Sequence, residues 1–254
     1  RSTLFPYTTL FRSRTGLNNG KGSFTKKENA LPQILASKSC ARAGDIDGDG
    51  DMDLFVGGRV VPGKYPVSPE SFLLLNDGKG NFADATSTAA PVLKNIGMVT
   101  DALWMDINKD GKNDLIVVGE WMPVKIFINH GKVLKDESSN YIKFASNGWW
   151  NKIYADDFDG DGDKDLVIGN AGLNTQFHSN EKEPLQLYYK DFDGNGSIDP
   201  IFCYYINGVS YPANSRDDLA DQLPIVKKKF LEYHQYAEAD RKSTRLNSSH
   251  RTGS

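Results

Sequence analysis

Four segments of this chain follow one grammar: DIDGDGDMD at 45–53, DINKDGKND at 106–114, DFDGDGDKD at 157–165 and DFDGNGSID at 191–199. Each crowds like charges together, and two carboxylates about 4 Å apart repel by roughly 1 kcal/mol in water and about 4 kcal/mol at an effective dielectric of 20. A fold that uses such loops needs a cation among them. Aspartate opens and closes every copy: Asp45 and Asp53, Asp106 and Asp114, Asp157 and Asp165, Asp191 and Asp199. The third place holds Asp47, Asn108, Asp159 or Asp193 and the fifth Asp49, Asp110, Asp161 or Asn195, so each carries a side-chain oxygen. At the seventh place stand Asp51, Lys112, Asp163 and Ser197. A lysine ammonium cannot ligate a cation, so this place, if it serves all four loops, offers its backbone carbonyl. Glycine fills the sixth place in every copy, Gly50, Gly111, Gly162 and Gly196, where a chain folding back around an ion needs φ > 0.

Hard oxygen donors at places 1, 3, 5, 7 and 9 around a glycine turn predict a calcium site, because Ca²⁺ takes six to eight oxygens in flexible geometry. Mg²⁺ fits less well, since it demands an octahedron and keeps its waters. No Cys/His cluster points to zinc. A solvated Asp/Gly surface turn is the plain alternative for one such loop, and fourfold recurrence argues against it. The loops are not EF-hands. Those close on a glutamate at place 12, where this chain has Val56, Val117, Ile168 and Phe202. The runs LFVGG, LIVVG and LVIG that follow the first three loops read as buried strands, not as exiting helices.

A second marker moves in step with the first. LNNGKGSF at 17–24 matches LNDGKGNF at 75–82, with INHGK at 128–132 as a degenerate copy, and such Gly turns between apolar residues are hairpin signals. The two markers define a unit of about fifty to sixty residues, read as strand, aspartate loop, strand, connection, strand, hairpin, strand. In the best copy the strands are expected near 40–45, 54–60, 71–76 and 81–86. Four antiparallel strands at this period predict an all-β chain of propeller blades, each burying its faces against its neighbours.

DIDGDGDMDLFVGG, DFDGDGDKDLVIGN and LLNDGKGNF resemble the FG-GAP/VCBS repeats of integrin-like β-propellers, notably those of bacterial surface and secreted proteins. The resemblance covers most of 14–210. It implies calcium held by the first, third, fifth and ninth side chains and the seventh carbonyl. The second loop, with Asn108 and Lys112, and the fourth, with Asn195 and Ser197, depart from the pattern and are expected to hold calcium more weakly. The fourth also follows the third by only 34 residues and precedes Pro200, as expected of an insertion or a shortened blade. About three blades are visible, so a partial propeller is expected.

The rest of the chain bounds the reading. Its 254 residues are 39% hydrophobic and 25% charged, as in a globular protein, and no stretch approaches the about 20 apolar residues of a transmembrane segment. Residues 1–13 and 240–254 resemble translated sequencing adapters and are set apart from fold reasoning. Without them the net charge moves from −3 to −8, because the two tails contribute +2 and +3. That acidity favours no nucleic-acid partner. Cys40 and Cys203 are too few for a disulfide scaffold, and the sequence leaves their pairing open. Between 211 and 239 the β pattern breaks: Ser215 is placed to cap one short helix and Pro224 to start another, with Leu223, Val226, Phe230 and Tyr233 or Tyr236 as the apolar stripe. Lys227–Lys229 read as a solvated face.

No nucleophile motif or metal-ligating histidine pair appears, and no catalytic residue is expected. Trp121, Trp149 and Trp150 are the candidate ligand-binding residues, weighed against packing between blades. The expected function is a non-enzymatic, calcium-binding module outside the cell or in the envelope, engaging a carbohydrate or protein partner. The alternative is an enzyme on a propeller scaffold, such as a polysaccharide lyase. The sequence does not give an oligomeric state.

Overall fold

The computed structural model describes residues 15–34, 36–172, 174–232 and 234–236. Both adapter-like tails and Tyr233 lie outside the described residues. A hairpin comes first: among the described residues β1 (Thr15–Asn18) and β2 (Phe24–Lys27) pair only with each other. Blade one follows as β3 (Ser37–Gly44), β4 (Asp53–Val60), β5 (Phe72–Asn76) and β6 (Phe82–Asp84), antiparallel and in sequence order. After the turn of α1 (Thr86–Ala89), blade two repeats the plan with β7 (Met98–Met105), β8 (Asp114–Met122), β9 (Lys125–Asn129) and β10 (Leu134–Asp136). Past α2 (Ser138–Tyr141), blade three has two strands among the described residues, β11 (Gly148–Asp156) and β12 (Asp165–Asn170). The expected strands therefore form, and the fold is a partial propeller-like array of antiparallel sheets.

Blade two shows why the second strand of each unit is a continuous apolar run. On β8, Leu115 and Val117 face blade one while Ile116 and Val118 face blade three, and all four are fully buried. A strand covered on both faces has no polar side to show. Each such side chain contributes about 1.5–3 kcal/mol by leaving water. Phe55, Leu73, Val99 and Phe127 complete the core between blades one and two, and Ile126, Ile128, Ile153 and Trp150 that between two and three.

The first strands carry a second regularity. The register of β3, β7 and β11 slips at Ser39, Thr100 and Asn151, each six residues before the first aspartate of its loop. Such bulges place one extra residue against the neighbouring strand. Here the hydroxyls use it: Ser39 Oγ donates to the Gly57 carbonyl at 3.3 Å, and Thr100 Oγ1 lies 2.8 Å from the Trp150 carbonyl, tying blade two to blade three. Next along the strands, Asp101 of β7 is buried and pairs with Arg42 of β3 and, at 3.4 Å, with Lys152 of β11. One carboxylate thus links three blades.

The fourth aspartate loop is not part of blade three. Residues 171–185 hold no strand among those described, and the loop joins β13 (Gln186–Lys190) to β14 (Asp199–Ile206) in a separate sheet completed by β15 (Val209–Pro212). Pro200 is tolerated because β15 pairs only with Cys203–Ile206, leaving β13 as its sole strand neighbour. Two short helices, α3 (Arg216–Gln222) and α4 (Ile225–Lys229), follow as expected. Ser215 and Asp218 form a reciprocal capping box, and Pro224 precedes α4. Leu219, Ala220, Leu223 and Val226 then pack with Ile201, Phe230 and Tyr236, so the helices cover the Ile201 face of β14. Ser215→Ala should cost about 1 kcal/mol, read as a lower urea midpoint for the transition that includes α3. No disulfide joins Cys40 to Cys203. Among the described residues no helix is long and apolar enough to cross a membrane.

Candidate metal centres

Each loop is wound by its own carboxylates before any ion is considered. The first aspartate takes the N–H of the sixth-place glycine in all four copies: Gly50 to Asp45 at 3.1 Å, Gly111 to Asp106 at 2.8 Å, Gly162 to Asp157 at 3.0 Å and Gly196 to Asp191 at 2.9 Å. Those glycines have φ between +83° and +93°. The fourth place is left-handed too, which the sequence alone did not reveal: Gly48, Gly160 and Gly194 share it with Lys109, at φ +61°. A lysine there costs about 1–2 kcal/mol relative to glycine. The third-place oxygen accepts the fifth-place N–H, and the fifth the seventh, as in Asp161 to Asp159 at 3.2 Å and Asp163 to Asp161 at 2.8 Å.

In the first two loops the ninth aspartate fastens the loop to the neighbouring strand. Asp53 accepts from Ile46 at 3.0 Å and from Asn76, at the end of β5, at 2.9 Å; Asp114 accepts from Ile107 at 2.9 Å and from Asn129, at the end of β9, at 2.8 Å. Asn76 and Asn129 were visible in the sequence as the residue before each hairpin turn, yet nothing there assigned them this contact. Asp53, Asp114 and Asp199 are buried, whereas Asp165 is exposed. Burial pushes the Asp53 and Asp114 carboxyls above the usual range, backbone N–H bonds pull the other way, and neighbouring loop aspartates push further up. A bound cation would oppose that rise by favouring the ionised form.

In three loops the first, third and ninth carboxylates converge, with one oxygen from each within 4.8 Å of the others: Asp45, Asp47 and Asp53; Asp157, Asp159 and Asp165; Asp191, Asp193 and Asp199. In loop one, Asp51 Oδ1 is also buried without a hydrogen-bond partner. All-oxygen donors, crowded negative charge and an orphaned buried oxygen fit a hard divalent cation. Asp49, Asp161 and Asn195 lie outside the converging groups, within the turns. The second loop behaves differently: Asn108 replaces a carboxylate, and the Lys112 ammonium sits 2.8 Å from Asp110. Lys112 is thus a resident counter-charge, and no such group of carboxylates forms there among the described residues. Lysines also cross between blades, Lys109 to Asp163 at 2.6 Å and Lys132 to Asp47 at 3.1 Å. Both lysines are exposed, so solvent screening leaves these pairs a minor part in stability.

The buried and exposed ninth aspartates should respond differently to truncation. Without metal, Asp114→Ala strands the N–H groups of Ile107 and Asn129 and should cost about 3 kcal/mol, whereas Asp165→Ala should cost less than about 1 kcal/mol. Urea denaturation in EDTA measures both. Equal costs would contradict the anchoring role.

The tryptophans divide. Trp121 and Trp149 stand 5.6 Å apart with Phe202 packed against both, and Trp121 Nε1 donates to Tyr65 Oη at 2.9 Å. Trp121 has φ +57°, an outlier for a bulky residue. This group sits at the strand ends away from the loops, since Trp121 is the last residue but one of β8 and Trp149 the second of β11. Trp150 belongs elsewhere: it packs in the core between blades two and three and donates to the Ser146 carbonyl at 2.9 Å.

Residues 13–56 and 106–168 match the FG-GAP-like repeat family. The chain is also 29% identical over 253 residues to the phosphatidylinositol-glycan-specific phospholipase D of Rattus norvegicus. The match takes in 82% of this chain and spans 30% of the relative's length.

Proposed function

Starting from a chain that carries FG-GAP-like repeats in a propeller-like array, we propose that it is a calcium-binding module working outside the cytosol, where it holds a carbohydrate or protein partner and catalyses no reaction. The convergence of three carboxylates in three separate loops carries this reading. Asp45, Asp47 and Asp53, with their counterparts in loops three and four, would hold the ions, which supply positive charge to segments otherwise under self-repulsion. Asp53 would pass that stabilisation into the sheet through the backbone N–H of Asn76. Extracellular modules bind calcium at about 10⁻⁴–10⁻³ M, so the sites would fill outside a cell and empty in a resting cytosol. Trp121 and Trp149, partly exposed and rigidly held, are the favoured partner contacts; Trp150 is not, because its ring is used in the core.

Calorimetric titration with calcium tests this directly. Three ions per chain are expected, and Asp45→Asn or Asp157→Asn should each remove one; absence of binding at millimolar calcium overturns the reading. The matched relative's name includes an enzyme activity, which keeps a second reading, a propeller-scaffold enzyme. Release of product from a glycan or a phosphatidylinositol glycan by the purified chain would favour it.

A further inference from the structure

Loops one and three carry aspartate at all five odd places, so their sequences promise equal seats for an ion. The structure separates them at the third place. There one carboxylate oxygen winds the turn in each converging loop by accepting the fifth-place N–H: Asp47 Oδ1 from Asp49 at 3.3 Å, Asp159 Oδ1 from Asp161 at 3.2 Å and Asp193 Oδ1 from Asn195 at 3.1 Å. The second oxygen is the one left over for a cation. Among the described residues it accepts no hydrogen bond in loop three, and in loop four it accepts the neutral Asn195 amide at 3.0 Å. In loop one it already faces a positive charge, Lys132 Nζ, 3.1 Å away.

Lys132 comes from the next blade. It sits in the turn between β9 and β10, closed by His130 N to Val133 O at 2.9 Å, with φ +76° at Gly131 and +77° at Lys132. A two-residue turn of this kind needs φ > 0 at both central residues, which glycine supplies freely and a lysine only under strain. In the blade-one hairpin the left-handed places are both glycine, Gly78 and Gly80. The turn of blade two thus keeps a strained lysine whose ammonium reaches one of the three converging carboxylates of loop one. Lys109 is the contrast. It is left-handed too and also crosses between blades, yet its partner Asp163 lies outside the converging carboxylates of loop three.

We propose that the Lys132 ammonium is a tethered stand-in for the ion at loop one, and that calcium fills this seat by displacing it; the inference rests on the calcium reading above. Without metal the ammonium offsets the repulsion among Asp45, Asp47 and Asp53. With metal it is surplus positive charge beside a divalent ion, and it turns out to solvent, where 63% of its side chain already lies. The pair adds little to stability because water screens it. Its effect falls on calcium affinity, since both cations need the same Asp47 oxygen. A unit charge acting through water at such a distance shifts a binding equilibrium by about fivefold. The affinity of loop one is thereby set from blade two, whose own loop holds no converging carboxylate group among the described residues.

Calcium titration of the full chain carrying Asp157→Asn and Asp191→Asn, which leaves loop one as the converging group, tests this. Adding Lys132→Gln removes the charge without changing the backbone demand of the turn, and should tighten calcium binding about fivefold, whereas Lys132→Arg keeps the charge and should leave binding within about twofold. A second readout uses the unsubstituted chain. Acylation by an amine-reactive ester, mapped by mass spectrometry, should run faster at Lys132 in calcium than in EDTA, and Lys109 should change less. Unaltered calcium affinity in Lys132→Gln overturns the proposal, and so does a Lys132 acylation rate that calcium leaves unchanged. Either result leaves the calcium reading standing, because the chain still binds the ion. A chain that binds no calcium overturns both.

Discussion

Melting curves of this protein in about 10 mM calcium and in excess EDTA should be separated by about 10 °C or more. A ligand that binds only the folded state stabilises it by about 2.7 kcal/mol when its concentration is a hundred times the dissociation constant, and by about 1.4 kcal/mol at ten times. Three converging carboxylate groups, were they to bind calcium with the affinities of extracellular modules, would contribute on the order of 4–8 kcal/mol together. In a domain of roughly this size each kcal/mol moves the midpoint by about 2–4 °C. The effect should follow calcium concentration logarithmically, and magnesium should restore less of it because it gives up its water reluctantly. Coincident curves in calcium and EDTA would remove the proposed role of the loops. A Lys112→Ser variant adds a check inside the second loop: freeing Asp110 from its resident ammonium should add calcium-dependent stability there.

Gly119→Ala is expected to cost about 4 kcal/mol, at the upper end for a single substitution. A Cβ at this position would lie 2.2 Å from the Met98 carbonyl oxygen and 2.7 Å from Met122 Sδ. The carbonyl is backbone at the start of β7, opposite a strand that is buried on both faces, so relief requires separating the two strands. Gly58 has the same constraint in blade one, with the Glu70 carbonyl oxygen at 2.4 Å. Gly169 offers the control: its added Cβ would meet only the Lys152 carbonyl at 3.9 Å, so Gly169→Ala should change stability by no more than about 0.5 kcal/mol. Urea midpoints of the two variants, compared at equal slope, decide the matter. Similar midpoints would mean that the strands can part more easily than their packing implies.

Much of this architecture was legible because it repeats. Comparing copies within the chain separated what each position must do: Lys112 at the seventh place ruled out a side-chain ligand, and the apolar residue at the twelfth ruled out an EF-hand. The strands followed from runs such as LIVV, whose unbroken apolarity reflects burial on both faces. Other features left no such trace. A left-handed lysine looks like any other, so Lys109 hid the shared backbone conformation of the fourth place. The bulges at Ser39, Thr100 and Asn151 depend on pairing register, which side-chain type does not encode. Trp149 and Trp150 are adjacent in sequence, and the alternation of a strand sends them to opposite sides. Spacing likewise set the fourth loop apart from the third without showing that the blade between them has two strands among the described residues.

The first loop is steadied from outside its own blade. Asn113 Nδ2 donates to the Asp45 carbonyl at 3.0 Å and Asn129 Nδ2 to the Ile46 carbonyl at 2.8 Å, both from the blade that follows. An ion seat so constructed is shared property: its stiffness is lent by the downstream neighbour. A cation entering the first loop would therefore meet a seat already held in shape by the following blade.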